Sequence, residues 1–350
     1  MVDGGDVLAG VHGRLGTITL NRPEAINALT TAMVRAIAAA LDRWEHDDTV
    51  GTILIEGAGP RGLCAGGDIV MFRESALAGD GAAREFWVEE YALDARIANY
   101  PKPVVVFMDG IVMGGGVGLS GHASHRVATE RLVWAMPEVQ IGFCPDVGGP
   151  LLLSRAPGEL GLHLALTADR IGASDAIACG FADHLVGSAQ LASLRDELCD
   201  GEPGAAIAGA AARGPAQAGQ PSFGRFHREV LDPCYRQPSV AAILAALKAD
   251  GRPPALAAAK SIRKWSPTAL EVTLQAIRRA RGHASLEQSL AQDLHVSCTF
   301  LDLPDFTEGI RAAVIDKDRK PRWSPARIGG VKPEDVARFF PGTPATGSQA

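Results

Sequence analysis

Val104-Val-Val-Phe-Met108 is apolar at every position and runs straight into the glycine-rich stretch Asp109 to Gly118. A strand with no polar face must be covered on both sides. That is the condition of a parallel sheet flanked by helices. Upstream, Gly16-Thr-Ile-Thr-Leu20 alternates apolar and polar residues and predicts another strand, ended before Pro23, which has no N–H for a ladder. Thr30 suits an N-cap, and Met33, Val34, Ile37, Leu41 and Trp44 follow at helical spacing. An amphipathic helix is therefore expected over Thr31 to Glu45, with the next strand at Thr52 to Glu56. Strand, helix, strand implies a right-handed parallel crossover.

The alternation continues. A helix is expected over Arg84 to Asn99, short strands at Val127 to Thr129 and Leu132 to Trp134, and one helix over Leu151 to Ala165. Gly201 to Ser222, rich in Ala, Gly, Pro and Gln, predicts a weakly ordered connection. From Ser239 the pattern is helical almost to the end. Three parts are expected: an α/β core over residues 1–186, an irregular connection over 187–238 and a helical C-terminal region over 239–350.

Composition narrows the function. A formal net charge of −6 leaves no basic excess for phosphate backbones, so no nucleic-acid partner is expected. No apolar run reaches membrane-spanning length, so no membrane partner is expected either. Met1 to Gly10 lacks a basic leader, and the six cysteines form no C-x-x-C pair. Both point to a cytoplasmic location with free thiols. The histidines show no ligand spacing, so no metal is expected.

Two glycine loops carry the chemistry. Cys64-Ala-Gly-Gly-Asp68 and Met113-Gly-Gly-Gly-Val-Gly118 each follow a strand and precede a helix. Glycine lets backbone N–H groups converge on an anionic oxygen, and a helix start adds favourable partial charge. Two such donors from separate loops would make an oxyanion hole for a thioester carbonyl taking up charge. Neither loop is a G-x-G-x-x-G fingerprint or a P-loop.

With Asn21-Arg-Pro-Glu-Ala-Ile-Asn-Ala-Leu29, Cys64-Ala-Gly-Gly-Asp68 and Asp109-Gly-Ile-Val-Met-Gly-Gly-Gly116 in this order and spacing, the chain resembles the crotonase (enoyl-CoA hydratase/isomerase) superfamily. The resemblance implies an α/β spiral of ββα units with a helical C-terminal region. It also implies an acyl-CoA substrate, with CoA part of that substrate and no separate cofactor. By motif match, the N–H groups of Gly67 and Gly115 would form the oxyanion hole, and Ala25 and Ala65 would contact CoA through backbone atoms. Family members commonly form trimers, and a homo-oligomer is left open here.

The carboxylates choose the branch. Hydration of an enoyl thioester typically uses two glutamates. Glu138 matches one of them, but Gly118 stands at the other position, and glycine does no acid–base work. Asp146, in a Pro/Gly turn eight residues after Glu138, and Glu90, on a helix, supply other acids. This set, with Trp265-Ser-Pro-Thr268 and Phe306 to Asp318, resembles the 3-hydroxyisobutyryl-CoA hydrolase branch. The expectation is a thioester hydrolase with Glu138 as nucleophile or general base. Asp146 would orient Glu138 or the substrate, or shuttle a proton, and Glu90 would contact the acyl end. An enoyl-CoA hydratase or isomerase is the first alternative, and a non-catalytic acyl-CoA-binding protein the second.

Overall fold

The computed structural model describes residues 5–200, 202–213 and 221–341, with the side chains at 225–227 outside that description. The start of the N-terminal stretch and most of the low-complexity part of Gly201 to Ser222 thus lie outside the described residues. The chain divides into two compact units interleaved in sequence. The first holds residues 1–68, 88–136 and 170–222; the second holds 69–87, 137–169 and 223–350.

Among the described residues, all the strands lie in the first unit. β1 (Val7–His12) and β2 (Leu15–Leu20) pair antiparallel. Then β3 (Thr52–Gly57) and β4 (Gly62–Cys64) are followed by β5 (Val104–Met108) and β6 (Ile111–Met113). β7 (His125–Ala128), β8 (Val133–Ala135) and β9 (His184–Leu185) complete the set. One sheet runs β1-β2-β3-β5-β7-β9, parallel from β2 onward; the other runs β4-β6-β8, all parallel. From β3 onward successive strands alternate between the sheets, and a helix follows each of the pairs β1/β2, β3/β4 and β5/β6. These are the ββα units expected.

The alternation needs abrupt corners after β3 and β5. Gly62, with φ of +155°, lies so close to Ile111 that a Cβ would collide with its N–H. Only glycine fits that approach. All five side chains of β5 are buried, as its composition requires. The helix Thr31–Glu45 forms as expected, and Thr30 Oγ1 accepts from Met33 N at 3.2 Å.

Two expectations need correction. Leu151 to Ala165 is not one helix: Gly149–Arg155 and Leu160–Thr167 are separated around Pro157 and Gly158. Proline disfavours helix for the residue before it, and Ala156 is extended, with ψ of 150°. The stretch expected to be an irregular connection contains helices Leu191–Leu198, Pro203–Ala212 and Arg225–Tyr235. Ile207 and Ala210 are fully buried in the core with Leu15, Leu54 and Val105. Alanine is the best helix former, and that burial outweighs the glycines.

The second unit is helical. Its core is aromatic: Trp87 stacks on Phe143 at 5.5 Å, and Phe143 meets both Phe300 and Phe306 at 5.3 Å. Burying a ring such as Phe143 contributes about 1.5–3 kcal/mol. That anchors the short segment from Glu138 to Asp146 on which the acids sit. No described helix is long and apolar enough to cross a membrane.

Candidate active site

The glycine loops both lie in the first unit. Leu29 N donates to Gly66 O at 2.8 Å, and Asp68 N donates to Leu29 O at 2.9 Å, so the first loop is sewn to the Asn21–Leu29 segment. Asn27 holds that segment from within. It is fully buried, and its amide donates to Ala58 O and Gly62 O at 3.1 Å while its oxygen accepts from Arg22 N. Arg22 in turn pairs with Asp68 at 2.9 Å.

The second loop opens the helix Gly115–Gly121. Val117 N and Gly118 N donate to Gly114 O. The Gly67 and Gly115 N–H groups have no backbone acceptor among the described residues. The two sites adjoin: a Cβ on Gly115 would lie 3.5 Å from Gly67 N and would collide with Glu90 Oε1. Thus the two N–H groups and Glu90 lie together in the first unit. The geometry suits an oxyanion hole, because fixed N–H dipoles need no reorganisation when charge develops.

Glu90 lies on helix Ala82–Ala98 and is 2% exposed. Asp94, one turn further along, is fully buried and was missed in the sequence. Its signal was its spacing, since residues four apart share a helix face. Beside these acids Cys64 is no nucleophile. Burial first, then the negative charges of Glu90 and Asp94, push its thiol up to about 12. The thiolate is the reactive form, and it is not populated at neutral pH.

Ala25 ends the 3-10 turn Pro23–Ala25; its N–H donates to Arg22 O and its carbonyl accepts from Ala28 N. Ala65 N donates to Ile26 O at 3.0 Å. Both N–H groups are therefore used within the protein, and any ligand contact falls to the carbonyl lone pairs.

The remaining acids lie in the second unit. Glu138 starts the 3-10 turn Glu138–Ile141 and is 7% exposed. Its Oε2 is buried and accepts no hydrogen bond among the described residues. Burial, then the charge of Asp146, hold its carboxyl well above the ordinary range. So Asp146 does fold back into electrostatic reach of Glu138. A third acid, Asp293, joins them from helix Leu286–Phe300, accepting from Gly148 N at 2.8 Å. It was not singled out in the sequence. Its signal was an acid between Leu290 and Val296 on the buried stripe of an amphipathic helix. No group of acids, histidines and cysteines able to hold a metal occurs among the described residues.

A family model described as enoyl-CoA hydratase/isomerase matches residues 15–340. The chain belongs to the enoyl-CoA hydratase/isomerase family. Within it, the mitochondrial 3-hydroxyisobutyryl-CoA hydrolase of Danio rerio is 39% identical over 343 residues, 96% of this chain and 90% of the relative. A solved structure of a carnitinyl-CoA dehydratase from Mycobacterium thermoresistibile matches with a TM-score of 0.91 at 48% identity, over 97% of each chain. An enoyl-CoA hydratase from Rhodobacter sphaeroides 2.4.1 reaches 0.88 at 42% identity, over 96% of this chain and 97% of that one. The family and crotonase fold expected from the motifs hold, and so does the likeness to acyl-CoA thioester hydrolases. The cytoplasmic expectation is corrected, because the hydrolase relatives are named as mitochondrial. Free thiols do not tell one reducing compartment from another.

Proposed function

We propose that the chain hydrolyses a short 3-hydroxyacyl-CoA thioester, foremost 3-hydroxyisobutyryl-CoA, to the free acid and CoA. The carrying observation is Gly118 at the position of a hydratase glutamate, together with a buried Glu138 in electrostatic reach of Asp146. The hydrolase relatives support the same acyl group, and with it a role in valine degradation.

In this reading the Gly67 and Gly115 N–H groups hold the thioester oxygen as it gains charge. Glu138 attacks the carbonyl to give a transient anhydride that water then opens to the free acid, or it takes a proton from water that attacks the carbonyl directly. The C–S bond breaks, and the leaving thiolate takes up a proton. Two interacting buried carboxyls do not readily ionise together. One ionised and one protonated group is the state this reaction uses: the first activates the nucleophile, the second supplies the thiolate's proton. Asp146, whose charge helps to raise the Glu138 carboxyl, would orient Glu138 or the substrate, or shuttle the pair's proton to the leaving thiolate. Glu90, beside the oxyanion donors, would accept from the substrate's 3-hydroxyl. CoA belongs to the substrate, and no further cofactor takes part in the proposal.

Hydration is the second reading. It is favoured by the names of the two solved structures and requires Asp146 to replace the missing glutamate. The deciding experiment follows free-thiol release from 3-hydroxyisobutyryl-CoA beside water addition to crotonyl-CoA, with Glu138→Gln as control. Thiol release abolished by the substitution is expected. Hydration without thiol release would replace the hydrolase reading.

A further inference from the structure

Leu29 and Gly67 form an isolated parallel β-bridge, outside the named strands. Leu29 N donates to Gly66 O at 2.8 Å, and Leu29 O accepts from Asp68 N at 2.9 Å. In a parallel bridge of this kind, the residue between the two bonded neighbours turns its own N–H away from the partner's backbone. Gly67 is that residue. The N–H groups before it are committed within the protein: Ala65 N donates to Ile26 O, and Gly66 N to Cys64 Sγ. The Gly67 N–H, assigned above to the thioester oxygen, is thus aimed by the two hydrogen bonds of Leu29. Each has a modest net worth, and two without a neighbouring rung do not by themselves hold a peptide plane still.

Arg22 reinforces them. Its Nη1 donates to Ala28 O at 3.0 Å, and its Nη2 to Asp68 Oδ2 at 2.9 Å. Ala28 precedes Leu29, and Asp68 follows Gly67. One planar guanidinium therefore crosses the same two chains beside the bridge. The side chains of Arg22 and Asp68 are 23% and 21% exposed, so water competes little for the pair. Arg22 reaches Ala28 because the segment reverses between them. Ile26 and Asn27 are both left-handed, with φ of 52° and 54°, a region uncommon for a β-branched residue. The reversal is closed by Asn27 N donating to Arg22 O and Arg22 N donating to Asn27 Oδ1, each at 2.9 Å.

We infer that Arg22 is a positioning residue for the oxyanion hole. It acts through the Leu29–Gly67 bridge and holds the Gly67 N–H on the thioester oxygen. The inference rests on the reading of Gly67 and Gly115 as the oxyanion donors, and on no choice between hydrolysis and hydration.

The test reads the hydrogen bonds directly. Its probe is 3-hydroxyisobutyryl-CoA with carbon-13 in the thioester carbonyl, bound to the whole protein and followed by infrared difference spectroscopy. Glu138→Gln is present throughout to keep the thioester intact. Oxyanion donors polarise the carbonyl, so its band should lie below that of the free ligand. Arg22→Met keeps the stem without the fork and should give back a large part of that lowering. Arg22→Lys keeps the charge without the planar fork and should fall between. With Glu138 restored, kcat for thiol release should fall about tenfold in Arg22→Met, part of the cost of losing one donor. KM should stay within about twofold, because the lost interaction is made in the transition state. A merely structural Arg22 would lower the melting temperature and leave the band of the bound ligand where it was. That result, in whichever of the two variants folds, overturns the inference. A band with no lowering before Arg22 is changed would remove the oxyanion-hole reading, and the inference with it.

Discussion

The two units treat charge in opposite ways. Around the glycine loops, the first unit presents fixed backbone dipoles, and its geometry is enforced by the absence of a side chain at Gly115. In the second, Glu138 and Asp293 are carboxyls that burial, then the charge of Asp146, hold well above their ordinary range. The difference teaches where each half is vulnerable. The loops cannot tolerate added volume, whereas the acid cluster tolerates an isosteric change in shape but not in charge.

Glu138→Gln should produce the largest effect. Turnover is expected to fall by about 10³-fold, in the range of acid–base and nucleophilic roles. A parallel loss of melting temperature would break the comparison, because it would make Glu138 a structural residue. Gly115→Ala comes next. Its Cβ would run into Glu90 Oε1 and lie 3.1 Å from Leu29 Cδ1, displacing a donor. A loss of about 10²-fold in kcat is expected, as for one oxyanion-hole donor, together with reduced stability. Normal turnover in this variant would remove the dipole half of the comparison.

A pH profile sharpens the contrast further. Glu138 must be ionised to act, and its carboxyl is held well above the ordinary glutamate value of 4.5. Turnover should therefore fail on acidification at a pH above the ordinary carboxylate range. Gly115→Ala should lower the plateau of that profile without moving its acid limb.

The smallest effect is thermodynamic. The folded chain binds the Glu138 proton more tightly than the unfolded chain does. That contribution is complete below about pH 4.5 and is lost as pH rises through the elevated folded value. Glutamine has no proton to lose, so Glu138→Gln should gain stability at pH 8, on the order of 1 kcal/mol, as at other strained functional sites. The gain should vanish near pH 4, and calorimetry at the two values checks it.

Much of this was legible in the sequence, for physical reasons that can be named. Val104–Met108 and Thr31–Glu45 declared themselves because each repeats a pattern long enough to read. β4 and β6 did not, since three residues cannot display a period of two. Gly67, Gly115 and Glu90 were expected at one place and come together in the first unit. Asp293 escaped because its partner is Gly148, 145 residues away, and only its place on a buried helix stripe hinted at a role. Pro203–Ala212 read as weakly ordered because alanine and glycine carry little pattern, although Ile207 and Ala210 are fully buried in the core.

That 145-residue separation also has a meaning in time. A ribosome adds about 5–20 residues per second, so Asp293 follows the Gly148 turn by on the order of ten seconds. By then every strand through β9 has been synthesised. Until its final third is made, the nascent chain holds Asp146 without the anchor of its turn. A growing or truncated polypeptide could own both glycine loops and still lack an ordered acid cluster. Competence for chemistry thus comes late in the birth of the chain, gated by the arrival of one helix.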